Sequence, residues 1–206
     1  DVQIKKSSHQ LLKLAKENAE GYIVQNIKEE EEIILLLSQI KQTLNLKKIP
    51  NRIECYDISN TQGTNPVASM VTFINGSPDK AKYRKFKIAT KGPNDYAMMS
   101  EAVSRRLKRI NEKGWEEPDL ILIDGGKGHL NKIAKLNLNG IDIVSIAKPR
   151  KNEKIDKIYT VSNKEPSDFR YKTKALNILI NARNEAHRFA ITFHRDRRKK
   201  SMLGID

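Results

Sequence analysis

The chain of 206 residues is short of several things, and each shortage closes off a class of protein. It has one cysteine, Cys55, so no internal disulfide can form and a reducing compartment, the cytoplasm, is expected. One cysteine also excludes a CxxC pair or a Cys/His zinc spacing. No apolar run nears the ~18 residues that would cross a membrane. Aromatic residues make up 6%, with a single tryptophan, which leaves no obvious platform for stacking bases. The phosphate-cradling pattern GxxxxGK[ST] is missing, and so is the dinucleotide pattern GxGxxG. The first residues, "DVQIKKSSHQ", hold neither a methionine nor a signal-peptide core. The last, "SMLGID", break off as an apolar pattern begins, so both ends read as cuts in a longer protein.

What the chain has in excess is positive charge. Thirty-nine lysines and arginines face 25 acids, a net +14. A solvated basic face is the plain explanation, but an excess of this size points to a polyanionic partner, nucleic acid above all. At 38% hydrophobic the chain can bury a core, and at 31% charged it keeps a wet surface.

Periodicity divides the chain in two. Residues 8 to 46 read as helix, with Leu11, Leu12, Ala15, Ala19, Ile23 and Ile27 at helical spacing and a second stripe through Ile33, Ile34, Leu37, Ile40 and Leu44. Pro50 ends this arm, which gives a helical arm or linker over 1–50 and a folded domain over 51–200. Residues 201–206 then begin a further, truncated segment. Strands are expected at 52–58 and 66–74, the second closed by Asn75-Gly76, a hairpin signal, with 81–89 as the returning strand. A helix follows from Asp95, with Ala97, Met98, Ala102 and Leu107 on its inner side. Residues 119–124, "DLILID", are apolar on both faces as a buried parallel strand is. A short helix, a strand over 141–147, a small edge hairpin over 157–162 and a long helix over 171–195 complete the order β-β-β-α-β-α-β-α. Three antiparallel strands followed by alternating helices and parallel strands is the order of the ribonuclease-H-like fold. The expectation is an α/β domain with a mixed five-stranded sheet flanked by helices.

Two strands end in carboxylates. Side chains alternate along a strand, so Asp57 shares a face with Ile53 and Cys55, and Asp124 shares one with Leu120 and Leu122. If the two strands are parallel neighbours, both carboxylates emerge together, and a shared proton or a cation must relieve their repulsion. Oxygen donors on rigid strand ends suit Mg²⁺ or Mn²⁺. Taken singly, each aspartate also fits a turn or a helix cap. Asp95 fits a helix N-cap as well as an added ligand. His187 lies beside the apolar stripe of the last helix, where it is a half-buried structural residue, a metal ligand or a proton carrier. "GGKG" at 125–128 is a plain strand-to-helix turn or a turn that admits a phosphate, with Lys127 as its charge. Arg183 and Arg188 flank His187, and "RDRRKK" supplies Arg195, Arg197 and Arg198. All six cations are candidate contacts to a DNA backbone, which would make binding salt-dependent.

Taken together, "IECYDISNTQGTNPVASMVTF", "YRKFKI", "NDYAMMSEAVSRR", "PDLILIDGGKGHLN" and "RNEAHRFAITFHRDRR" resemble the C-terminal half of the UvrC excision nuclease family of bacterial nucleotide excision repair. The likeness runs from about Arg52 to Arg198, and the arm before it is similar to the linker that precedes this domain in the family. The resemblance implies a divalent-metal-dependent endodeoxyribonuclease that cuts on the 5′ side of a lesion in damaged double-stranded DNA. It would work in complex with UvrB, with UvrA acting upstream. It implies Asp57, Asp124 and His187 as catalytic residues and metal ligands, and Asp95 as a further catalytic acid. The family often has an acid where Asn94 and Asn184 stand here, so neither asparagine is expected to be catalytic. The family's other modules are not visible, so this stretch alone should cut weakly or without specificity. A monomer is expected for it. The competing functions are a non-catalytic DNA-binding module of the same complex, or another nuclease of the same fold such as a ribonuclease H or a resolvase.

Overall fold

The computed structural model describes residues 2–59, 66–90, 94–149, 151, 155–163, 165–169 and 173–202, with side chains described within 10–58 and up to residue 192. It forms two compact units, Asp1–Leu36 and Leu37–Asp206. Helix α1 (Val2–Leu44) runs through Gly21 without a break. In the first unit its apolar stripe is exposed, with Leu11, Leu12, Ile23 and Ile27 all more than half accessible. In the second unit Leu37, Ile40 and Leu44 are buried.

The second unit is built on one sheet in the order β3-β2-β1-β5-β6-β7, with β4 also paired to β2. Strand β1 (Arg52–Ser59) lies antiparallel to β2 (Val67–Ile74) and parallel to β5 (Leu120–Asp124). Strand β6 (Asp142–Ala147) continues parallel to β5, and β7 (Lys157–Thr160) closes the edge antiparallel to β6. The hairpin at Asn75-Gly76 forms as expected. Both residues have positive φ, 48° and 75°, the geometry that a two-residue turn between twisted strands requires.

The sheet has seven strands where five are expected, because the returning strand is broken. Its first piece, β3, is only Ser77–Pro78, and Pro78 has no N–H with which to continue a ladder. Asp79 then caps a 3₁₀ turn (Lys80–Lys82) by accepting the Ala81 N–H, and pairing resumes in β4 (Arg84–Lys87). The remaining addition is β7, which joins the sheet as a full edge strand.

Helices cover both faces. Helix α2 (Asp95–Leu107) and α3 (Lys127–Ile133) pack on the face that carries Tyr56, Ala68, Met70, Ile121 and Ile123. The long helix α4 (Thr173–Met202) covers the other, along a stripe of Ala175, Leu179, Ala182, Ala186 and Ala190. Leu120 to Ile123 have no exposed surface, and burying each is worth about 1.5–3 kcal/mol. The α2 face also holds a buried ion pair. Arg106 donates through Nε and Nη2 to Glu54 at 2.7–3.2 Å, Tyr56 donates its hydroxyl to the same carboxylate at 3.0 Å, and Arg106 also binds the Glu116 carbonyl. Among the described residues no helix is long and apolar enough to cross a membrane.

Candidate active site

Strand pairing alone brings the two aspartates together. The β1–β5 register pairs Cys55 with Leu122 and Tyr56 with Ile123, so the next row is Asp57 beside Asp124. Alternation sends Tyr56 to the α2 face and Asp57 to the α4 face. There α4 comes close because its inner residues are small. Ser69, paired with Asp57 across β1–β2, donates its hydroxyl to the carbonyl of Ala186 at 3.1 Å. That contact pins the helix one residue before His187, whose Nδ1 lies 3.2 Å from Oδ2 of Asp57. Asp57, Asp124 and His187 each offer one ligand atom, all within 4.8 Å of one another.

The electrostatics are those of a crowded anionic site. Asp57 is only 8% exposed, and its carboxyl is pushed up by burial and pulled back by His187 and Lys148. Asp124 is pushed up to about 6, by burial first and then by the charge of Asp57. Arg183, Lys148 and His187 oppose the rise. Cys55, beneath the pair, is buried and its thiol is raised well above its ordinary value, again by burial first, so it is an inert core residue. Two carboxylates that resist ionising together, with an imidazole at their side, could hold a metal ion.

The glycine turn has a local explanation. Gly125 has φ of +154°, and a Cβ there would sit 2.6 Å from Nδ1 of His129. A Cβ on Gly128 would press on the Tyr96 ring at 3.0 Å. Tyr96 and His129 in turn pack against each other, ring centres 4.3 Å apart and planes tilted by 46°. The turn is therefore glycine-rich so that His129 and Tyr96 can close over it. Burial lowers the proton affinity of His129, while Asp95 and Asp124 raise it.

The other expected residues are placed less uniformly. Asp95 is exposed at the first turn of α2, and the cap is Asn94, whose side chain accepts the Ala97 N–H at 3.0 Å. Asp95 does not join the three-residue group; its charge acts on His129. Arg183 is 6% exposed and its guanidinium pairs with Asp156. Arg188 is exposed but makes two 2.6 Å bonds to Glu185. Lys127 opens α3, half-buried. Arg195, Arg197 and Arg198, and residues 203–206, lie outside the described side chains. Sequence reasoning missed Ser69, His129, Asp156 and Lys148. Of these Lys148 alone had a signal, two residues past Ile146 on the face of Asp124.

An antiparallel hairpin, a parallel pair beside it and helices on both faces give the chain a ribonuclease-H-like fold, with two carboxylates at one strand edge. The model of the UvrC RNAse H endonuclease domain matches residues 41–191. The UvrABC system protein C of Flavobacterium psychrophilum is 42% identical over 206 residues, covering 94% of this chain and 34% of that protein. The protein of the same name from Cytophaga hutchinsonii is 46% identical over 182 residues, covering 85% and 30%. The chain belongs to the UvrC family and carries its ribonuclease-H-type endonuclease domain. It spans about a third of the length of the curated relatives it matches. Among solved structures, the catalytic domain of human Endonuclease V is similar at a TM-score of 0.44 and 10% identity, over 76% of this chain and 85% of that one.

Proposed function

We propose that this domain hydrolyses a phosphodiester bond of damaged double-stranded DNA on the 5′ side of a lesion, working in a complex with UvrB after UvrA has acted. One observation carries the chemistry: Asp57, Asp124 and His187, from three separate elements, converge to within 4.8 Å. Asp57 and Asp124 would hold a divalent cation, Mg²⁺ or Mn²⁺, with His187 as third ligand or as the proton carrier beside it. When bound, that cation supplies charge to the scissile phosphate and acidity to a water.

In the reaction a water oxygen bonds to phosphorus and loses a proton. The bond from phosphorus to the leaving sugar oxygen breaks, and that oxygen gains a proton. His187 stands at the mouth of the site, half-exposed, within reach of a proton that leaves the water or joins the departing oxygen. Ser69 fixes the helix that carries it. Asp95, the further acid that the family resemblance implies, would act from outside the three-residue group. Contacts of this kind go to phosphate, so cutting should show no base preference. The arm over 1–50 would link this domain to what precedes it, 51–200 would form the nuclease, and 201–206 would lead onward.

The test is incision of lesion-bearing duplex by the full-length protein with its repair partners. Asp57→Ala should abolish the 5′ cut and spare the cut on the 3′ side, which the family resemblance gives to a separate N-terminal nuclease domain. Loss of both cuts, or of neither, would overturn the assignment.

A further inference from the structure

The candidate site lacks one thing that the reaction needs. Two aspartates and one divalent cation sum to zero charge. A phosphodiester adds one negative charge and an attacking hydroxide adds another, so the transition state is strongly anionic. Preorganised positive charge aimed at that excess is worth most in a partly buried site.

Two side chains with a permanent charge act on Asp124, Arg183 and Lys148. Arg183 is buried and committed to Asp156. Lys148 is exposed, and among the described residues it makes neither a hydrogen bond nor an ion pair. Its position follows from pairing. Strand β6 sets Val144 beside Leu122 and Ile146 beside Asp124, so these side chains share a face. Lys148 is the next residue on that face, just past the strand end at Ala147. The residue after it is Pro149, and a residue before proline is held in the extended region. The alternation therefore carries one step past the strand, and Lys148 stands on the α4 face at the carboxyl edge. Its charge is felt by Asp57 as well as by Asp124.

We propose that Lys148 is a catalytic residue of this domain, donating from its ammonium to a non-bridging oxygen of the scissile phosphate as negative charge gathers there. The inference rests on the nuclease function proposed above. The lysine keeps its proton throughout and leaves the stoichiometry of hydrolysis unchanged. A charged group that acts only in the transition state lowers kcat when removed and leaves ground-state binding nearly intact.

The experiment compares Lys148→Met, Lys148→Arg and Asp57→Asn in the full-length protein with its repair partners. Each is read three ways: kcat and KM for the 5′ cut, affinity for duplex without metal, and Mn²⁺ affinity by calorimetry at pH 8. Lys148→Met should lose about 10²–10³-fold in kcat, the cost of removing one transition-state donor. Its DNA affinity should stay within a few-fold, since one phosphate contact among many is lost. Its Mn²⁺ affinity should be unchanged or higher, because a neighbouring cation has gone. Lys148→Arg should recover most of the rate. A Lys148→Met enzyme that cuts at the normal rate beside an inactive Asp57→Asn enzyme would overturn the lysine's role alone. A loss of rate matched by weaker Mn²⁺ binding would overturn it too, by showing that the lysine only supports the fold. An Asp57→Asn enzyme that still cuts would overturn the nuclease reading underneath.

Discussion

Asp124 is a residue whose usefulness works against the fold. Its carboxyl is raised from the ordinary 3.8 to about 6. A carboxyl raised by folding binds its proton more tightly in the folded chain, so its contribution is favourable at low pH. That contribution is lost as pH climbs from the unfolded value through about 6. Above that, the ionised pair costs the metal-free domain about 1–3 kcal/mol. Asp124→Asn should thus raise the melting temperature of the metal-free protein at pH 7.5 by a few degrees, and change it little at pH 4. In the wild type, Mn²⁺ should raise the melting temperature strongly at pH 7.5 and hardly at pH 5, where protons compete for the same oxygens. Thermal scans at the two pH values check both. A drop in stability on Asp124→Asn at pH 7.5 would mean that the carboxylate is a structural partner. The aspartates were legible in the sequence because strand alternation fixes where a terminal side chain points. The inward ion pair of Arg183 was not, because it depends on Asp156, which arrives from a distant loop.

Among the elements, β1 carries the most. Its outer face holds Asp57, and its inner face holds Glu54 and Tyr56 in contact with Arg106 of α2. Glu54 and Arg106 are both fully buried. Removing one partner of such a pair leaves a stranded charge and costs about 3–5 kcal/mol. Arg106→Ala should be that severe, while Glu54→Leu with Arg106→Met should be far milder; chemical denaturation of the two variants decides. Nothing in the local sequence announced the pair, since it spans 52 residues and joins a strand to a helix. The strands that were read correctly had strict alternation or a complete apolar run. The one misread at its start, 81–89, has alternating polarity through Lys80–Lys82, but Asp79 captures that segment as a 3₁₀ turn. The sheet order was legible because few topologies fit three hairpin-linked strands followed by helix-linked ones.

For the whole molecule the governing quantity is the net charge of +14. If about six phosphates are neutralised on binding, affinity for an undamaged duplex should fall by about 10³ between 50 and 200 mM salt. A flat salt response in a titration of binding against ionic strength would remove DNA backbone as the partner. Composition predicted that electrostatic character, but not which cations carry it. The described structure commits Arg183 to Asp156 and ties Arg188 to Glu185.

The placement of Asp57 has a consequence for how β1 can vary. Its two faces do unlike jobs, and neighbours along it alternate between them. A deletion or insertion of a single amino acid between Pro50 and Asp57 would turn the strand over, sending Tyr56 or Ile58 toward His187 and a carboxylate into the hydrocarbon layer under α2. Natural length changes in this domain should therefore collect in its loops, while β1 keeps its residue count even where its side chains drift.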